Sequence, residues 1–293
     1  MRATPTPVKL SELKSLACML RFRVVRNSYL TRTPHLGSCL SCMDLLVYLY
    51  WHALLIDSKH PRAPDRDRFI LSKGHAAPAL FQVLAERGFY PVTDLEDYGK
   101  DGSLFGEHPP APAHLAGIEA ATGSLGHGLS MGLGMALASR VTGVPYKVYA
   151  VLGDGECNEG SVWEAAMLAT SQEVSNLTIA IDYNKWQATG RSNEVMSLAP
   201  LADKWRAFGW CVNEIDGHDF AQIDATIKSN ALDPRPKVII ANTVKGRGIS
   251  FMEDDNNWHY RIPTEEEVCK AAAELEIATS EIRIDGRTPS SHG

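Results

Sequence analysis

The chain has 293 residues, 44% hydrophobic and 22% charged, with a formal net charge of −6. That balance is ordinary for a globular protein and leaves no basic field to hold nucleic acid. No apolar run reaches the ~18 residues a membrane span needs, and the first residues lack the apolar core of a secretory signal. Six scattered cysteines fit a reducing cytoplasm better than a disulfide framework.

Ser11 to Arg26 reads as an amphipathic helix with Ser11 as its N-cap. Leu36 to Ser41 reads as a small-residue loop, and Met43 to Leu55 as a very apolar helix. Arg68 to Ser72 is a short strand running into Lys73-Gly74-His75, and Ala76 to Arg87 is a helix that ends at Gly88. A Gly/Pro-rich loop spans Asp101 to Ala113. Gly126 to Arg140 is a helix so dense in glycine and small residues that a neighbour is expected to pack very close to it. Strands at 148–152 and 177–182 follow, with a helical stretch between them. A helix at Leu201–Phe208 and strands at 210–215 and 237–242 complete the pattern. Strands alternating with helices predict one α/β domain over residues 1–276, a mainly parallel β-sheet flanked by helices. The polar tail, 277–293, is expected to fray.

Two of the apolar runs end in oxygen-bearing side chains. Val148–Leu152 ends in Gly153-Asp154-Gly155, and Leu177–Ile181 ends in Asp182-Tyr183-Asn184. Parallel strands bring Asp154 and Asn184 to one edge, where such sheets bind ligands. A carboxylate and an amide oxygen, with glycines that let backbone come close, suit Mg²⁺ carrying a diphosphate. Gly-Asp-Gly alone also reads as a tight turn capped by Asp154.

GDG, with Glu159 and Gly160 behind it and Asn184 ~30 residues on, resembles the thiamine diphosphate (TPP) signature. Three further segments extend the resemblance: RDRFILSKGHAAPAL (66–80), TGSLGHGLSMGLGMALA (122–138) and KVIIANTVKGRGISFMEDDNNWHY (237–260). Together they resemble the amino-terminal, diphosphate-binding (PP) half of transketolase over about residues 10–275. The resemblance implies the thiamin-diphosphate-binding fold and TPP with Mg²⁺, for which Ca²⁺ or Mn²⁺ can substitute. By that match Asp154, Asn184 and the carbonyl of Trp186 would hold the metal. His75, Gly123, Ser124, Leu125, Gly153, Asp154, Gly155, Glu159, Asn184, Lys245 and His259 would lie on the cofactor. His35, His75, His108 and His259 would line the catalytic channel, with His35 and His108 nearer the substrate hydroxyls. An imidazole titrates near neutrality and suits the proton transfers involved.

Some readings stay open at this level. Ser124 stands where many transketolases have proline. Glu159 is either an acid at a helix N-terminus or, by the resemblance, a buried subunit-interface glutamate. Lys245 is either a cation aimed at the cofactor or a solvated loop lysine. Cys39 and Cys42 form a CxxC without a second ligand pair, so a packed, inert pair is the plainer reading.

TPP enzymes also need a pyrimidine-binding domain, and in transketolase it follows the first. The chain stops at residue 293, where that domain is expected to begin. The resemblance therefore implies the amino-terminal subunit of a split transketolase, joined to a carboxy-terminal subunit in an α2β2 heterotetramer. It would transfer a two-carbon ketol unit between sugars or sugar phosphates. The alternative is the E1 α-type subunit of a TPP-dependent 2-oxoacid dehydrogenase.

Overall fold

Five short runs of apolar residues form one all-parallel sheet in the order β1-β2-β3-β5-β4. The strands are β1 (Arg68–Leu71), β2 (Val148–Gly153), β3 (Leu177–Tyr183), β4 (Cys211–Asp216) and β5 (Lys237–Asn242). In this structure, a computed structural model, residues 8–278 are described, so the tail expected from 277 lies almost wholly outside them. Ten α-helices are found among the described residues: α1 (Leu10–Thr31), α2 (Leu36–Ser41), α3 (Met43–Tyr48), α4 (Ala77–Glu86), α5 (Gly128–Thr142), α6 (Gly160–Ser171), α7 (Ser192–Val195), α8 (Leu201–Ala207), α9 (Phe220–Ser229) and α10 (Glu265–Glu274).

Side chains alternate along each strand, so the sheet feeds two cores. Tyr149 and Val151 point into one, with Phe69, Ile239 and residues of α1, α3, α4 and α10. Val148, Ala150 and Leu152 point into the other, with Ile179, Val238 and residues of α5, α6 and α8. Burial on both faces explains why the strands read as unbroken apolar runs. The register pairs Gly153 with Asp182 and Tyr183 with Asn242. The residues just beyond β1, β2, β3 and β5 thus share one carboxyl edge.

Several local expectations are corrected. The first helix begins at Leu10 and is capped by Lys9, not Ser11; the Glu12 carboxylate accepts the Lys9 N–H at 3.2 Å. Leu36–Ser41 is a fully buried helix rather than a loop. The apolar helix from Met43 is α-helical only to Tyr48 and continues as a π-turn, Leu49–Ala53. In the glycine-dense helix α5, the tight contact is at its first residue. A Cβ on Gly128 would lie 2.2 Å from Ser72 Oγ, whereas Gly134 has nothing within 4 Å.

A buried network ties α1 and α3 to the β4–α9 turn. Arg21 donates to both Asp44 oxygens, at 3.0 and 2.5 Å. His218 Nδ1 meets Asp44 Oδ2 at 2.7 Å, and Val244 N donates to His218 Nε2 at 2.9 Å. Burial works against the Asp44 charge, but Arg21 overcomes it and holds the carboxyl below its ordinary value. Its stabilisation is therefore present above the unfolded carboxyl pKa and is lost as pH falls through the folded one. Asp44→Ala leaves Arg21 buried without its partner and is expected to cost about 3–5 kcal/mol. Denaturant unfolding at neutral pH measures it; a loss below about 1 kcal/mol contradicts this reading.

Candidate functional site

Each element that reaches the carboxyl edge delivers chemistry there. The turn after β2 presents Asp154, 1% exposed. Its oxygens accept from Gly155 N at 3.0 Å, Lys185 N at 2.9 Å and Ser192 Oγ at 2.8 Å. No salt bridge to Asp154 forms among the described residues. Burial, with Asp182 adding to it, pushes its carboxyl up to about 6. A buried carboxylate with hydrogen-bond donors but no ion pair is a site that a cation would complete.

Asn184 follows β3 and is buried. Its Nδ2 donates to Asp182 Oδ2 at 3.1 Å and Ser41 Oγ at 3.4 Å. That fixes which way the amide lies and turns Oδ1 the other way, where it accepts Trp186 N at 3.0 Å. Trp186 is half-buried and bridges to Arg191. No group of three or more His, Cys, Asp or Glu able to hold a metal occurs among the described residues. A site here would draw on one carboxylate, one amide oxygen and a carbonyl, a hard-oxygen set that suits Mg²⁺.

Beneath these two residues lies an ion pair not anticipated from sequence. Lys73, after β1, donates to Asp182 and to Ser38 O at 3.0 Å. Asp182 also accepts from Ser41 Oγ at 2.6 Å and Thr243 Oγ1 at 2.5 Å. Burial opposes the Lys73 charge, but Asp182 overcomes it and holds the ammonium above its ordinary value. An aspartate inside the apolar run LTIAIDY was the available signal. Glu156 is a second buried acid missed from sequence. It accepts from Ser72, from Gly126 N at 2.9 Å and from Gly153 N at 3.1 Å, tying the 122–128 loop to the end of β2.

The four singled-out histidines converge. Ring centroids of His35 lie 5.8 Å from His75, 6.2 Å from His108 and 5.1 Å from His259. His75 and His259 are 5.7 Å apart. His35 N donates to the His259 carbonyl at 2.9 Å, which joins the two loops directly. Burial, then Lys73, pushes His75 well below its ordinary pKa. Burial, then Lys245, pushes His259 down to about 3. Burial also lowers His35. All three shifts favour the neutral imidazole.

Lys245 is 1% exposed, so the solvated-lysine alternative is excluded. Its Nζ donates to Asn256 Oδ1 at 2.6 Å and lies 3.4 Å from His259 Nδ1. Burial, then repulsion from Lys73, lowers it to about 8. Gly123 is half-buried, and a Cβ there would stand 3.0 Å from the His108 ring; Ser124 is exposed and Leu125 half-buried. Glu159 is exposed in this chain and stands at the N-cap position of α6 without a side-chain capping bond. Cys39 and Cys42 are buried free thiols, both raised by burial, Cys42 to about 12, which leaves them inert.

The 122–125 loop is held by contact with Gly74. A Cβ there would stand 2.6 Å from Thr122 C and 2.7 Å from Gly123 N. Both are backbone atoms, so relief requires moving the loop. Gly74→Ala is expected to cost about 1–3 kcal/mol, read as a lowered denaturation midpoint. An unchanged midpoint contradicts the packing described.

A cavity of about 600 Å³ lies elsewhere, lined by Asp67, Lys147 and Asn176 at the amino ends of the strands.

The family model for "Transketolase, thiamine diphosphate binding domain" matches residues 14–284. The chain is 40% identical over 256 residues to an apulose-4-phosphate transketolase subunit of Phocaeicola vulgatus, covering 87% of this chain and 90% of that protein. It is 42% identical over 243 residues to the 6-deoxy-6-sulfo-D-fructose transketolase subunit SqwG of a Clostridium species, covering 83% and 88%. The transketolase structure from Campylobacter jejuni superposes with a TM-score of 0.86 at 27% identity, covering 92% of this chain. The chain spans only 43% of that solved transketolase. The chain belongs to the transketolase family, whose thiamine diphosphate binding domain it carries.

Proposed function

We propose that this chain is the diphosphate-binding subunit of a two-subunit transketolase of the cytoplasm. It would transfer a two-carbon ketol unit between sugars or sugar phosphates, paired with a separate pyrimidine-binding subunit in an α2β2 assembly. The observation that carries the reading is the shared edge, which bears a buried carboxylate without an ion pair among the described residues, an oriented amide and four histidines joined by ring contacts through His35. Relatives named as single subunits of apulose-4-phosphate transketolases match this chain over 90% and 98% of their own lengths, which supports the split organisation.

In this reading Asp154, Asn184 and the Trp186 carbonyl hold Mg²⁺. His75, Gly123, Ser124, Leu125, Gly153, Gly155, Lys245 and His259 hold the cofactor. Bound thiamine diphosphate supplies the electron sink for breaking a carbon–carbon bond beside a carbonyl. The chain's own residues orient the reactants and move protons. His259 and His75, neutral through burial, bond to oxygens without adding cations. Lys245 places one ammonium among them. His35 and His108 pass protons to and from the substrate hydroxyls. Glu159, exposed here, is left for a neighbouring subunit to cover.

The test is to mix the chain with its carboxy-terminal subunit, TPP and Mg²⁺, and to assay ketose–aldose pairs beside pyruvate and branched 2-oxoacids. Ketol transfer without oxoacid decarboxylation is expected. Decarboxylation alone would establish the 2-oxoacid dehydrogenase alternative.

A further inference from the structure

One ring at this edge has no place in the chemistry above. Tyr260 follows His259 directly, and its ring lies 4.6 Å from the His259 ring, edge to face, and 6.3 Å from the ring of His35. Yet Tyr260 is 66% exposed. Among the described residues its hydroxyl has no hydrogen-bond partner.

The backbone beneath it is held on both sides. Tyr260 N donates to Asn257 O at 3.1 Å. Trp258 is fully buried, with Nε1 donating to Phe251 O at 2.9 Å. Arg261 lies over the Trp258 ring at 4.3 Å and bonds to Glu267 at 2.5 Å. The ring is thus carried on a fixed segment, touches the histidine cluster on one side and faces open space on the other. An aromatic face packs against the C–H face of a sugar, and a phenol hydroxyl bonds to a sugar hydroxyl.

We propose that Tyr260 is a specificity-determining residue that reads the sugar's carbon chain beyond its reacting carbonyl. A sugar whose carbonyl stands among the imidazoles of His35 and His259 runs outward past the Tyr260 ring. A two-carbon acceptor is too short to meet it. The inference rests on the transketolase reading.

The test compares Tyr260→Ala and Tyr260→Phe with wild type, each assembled with the carboxy-terminal subunit, TPP and Mg²⁺. The donor is a three-carbon ketol donor, too short to reach the ring, and the acceptors are glycolaldehyde and the best of a panel of four- to six-carbon aldoses and their phosphates. Tyr260→Ala is expected to lower kcat/KM about tenfold for the long acceptor, mainly through KM, and to leave glycolaldehyde unchanged. Tyr260→Phe is expected to keep most of the long-acceptor rate, within about threefold, because the ring face remains. Equal losses on both acceptors would overturn the inference and make Tyr260 a support for His259. So would failure of Tyr260→Ala to assemble in gel filtration, or wild type that accepts glycolaldehyde alone. No transfer by wild type to any acceptor would overturn the transketolase reading, and this inference with it.

Discussion

Asp154→Ala is expected to weaken binding of thiamine diphosphate with Mg²⁺ by at least about 100-fold. Titration calorimetry on the two-subunit protein measures it. Asp154 accepts three protein hydrogen bonds and forms no ion pair among the described residues. Its burial disfavours the charge, as a carboxyl raised to about 6 records. A divalent cation reverses that disadvantage, so the carboxylate is worth most to the loaded state. Ser192→Ala removes only one donor to the carboxylate and is expected to lose about tenfold. If Asp154→Ala bound the cofactor as tightly as wild type, the metal assignment would be wrong.

Asp182→Ala is expected to cost about 3–5 kcal/mol in stability. The residue is fully buried and accepts from Lys73, Ser41, Thr243 and Asn184. Its removal leaves a buried ammonium that still donates to Ser38 O but has lost its counter-charge. Exchanging Lys73 and Asp182 together for Met and Leu is expected to recover most of that loss, because no unpaired charge then remains. Urea unfolding of the two variants decides it; a double variant no more stable than Asp182→Ala contradicts the pairing. Asn184 gives a second readout. Without Asp182 its amide loses the shorter of its two acceptor contacts, so the double variant should fold yet still bind Mg²⁺–TPP poorly.

The parts legible in the sequence were those set by local pattern. Strands buried on both faces are unbroken apolar runs, so β2, β3 and β5 were placed to within a residue. The residues at their carboxyl ends could then be assigned to one edge from parallel topology alone. The four histidines were singled out by motif, and the ring contacts show them together. What escaped depends on distant partners. Leu36–Ser41 has the composition of a loop, and full burial at the site edge decides its helix instead. The Lys73–Asp182 pair joins residues 109 apart; Asp182 inside an apolar run marks one end, but nothing local names its partner. Helices α9 and α10 do carry local signals. Asp219 caps the first, and Thr264 with Glu267 forms a capping box on the second. Glu159, open in the sequence between an acid at a helix N-terminus and a buried interface residue, is exposed at the start of α6 in this chain.

The central claim is that this chain carries half of an active site. The most direct measurement is ketol-transfer rate as the carboxy-terminal subunit is titrated into a fixed amount of this chain with TPP and Mg²⁺. The account expects no turnover without the partner and a plateau at one partner per chain. Turnover by this chain alone, or none at any ratio, would contradict it.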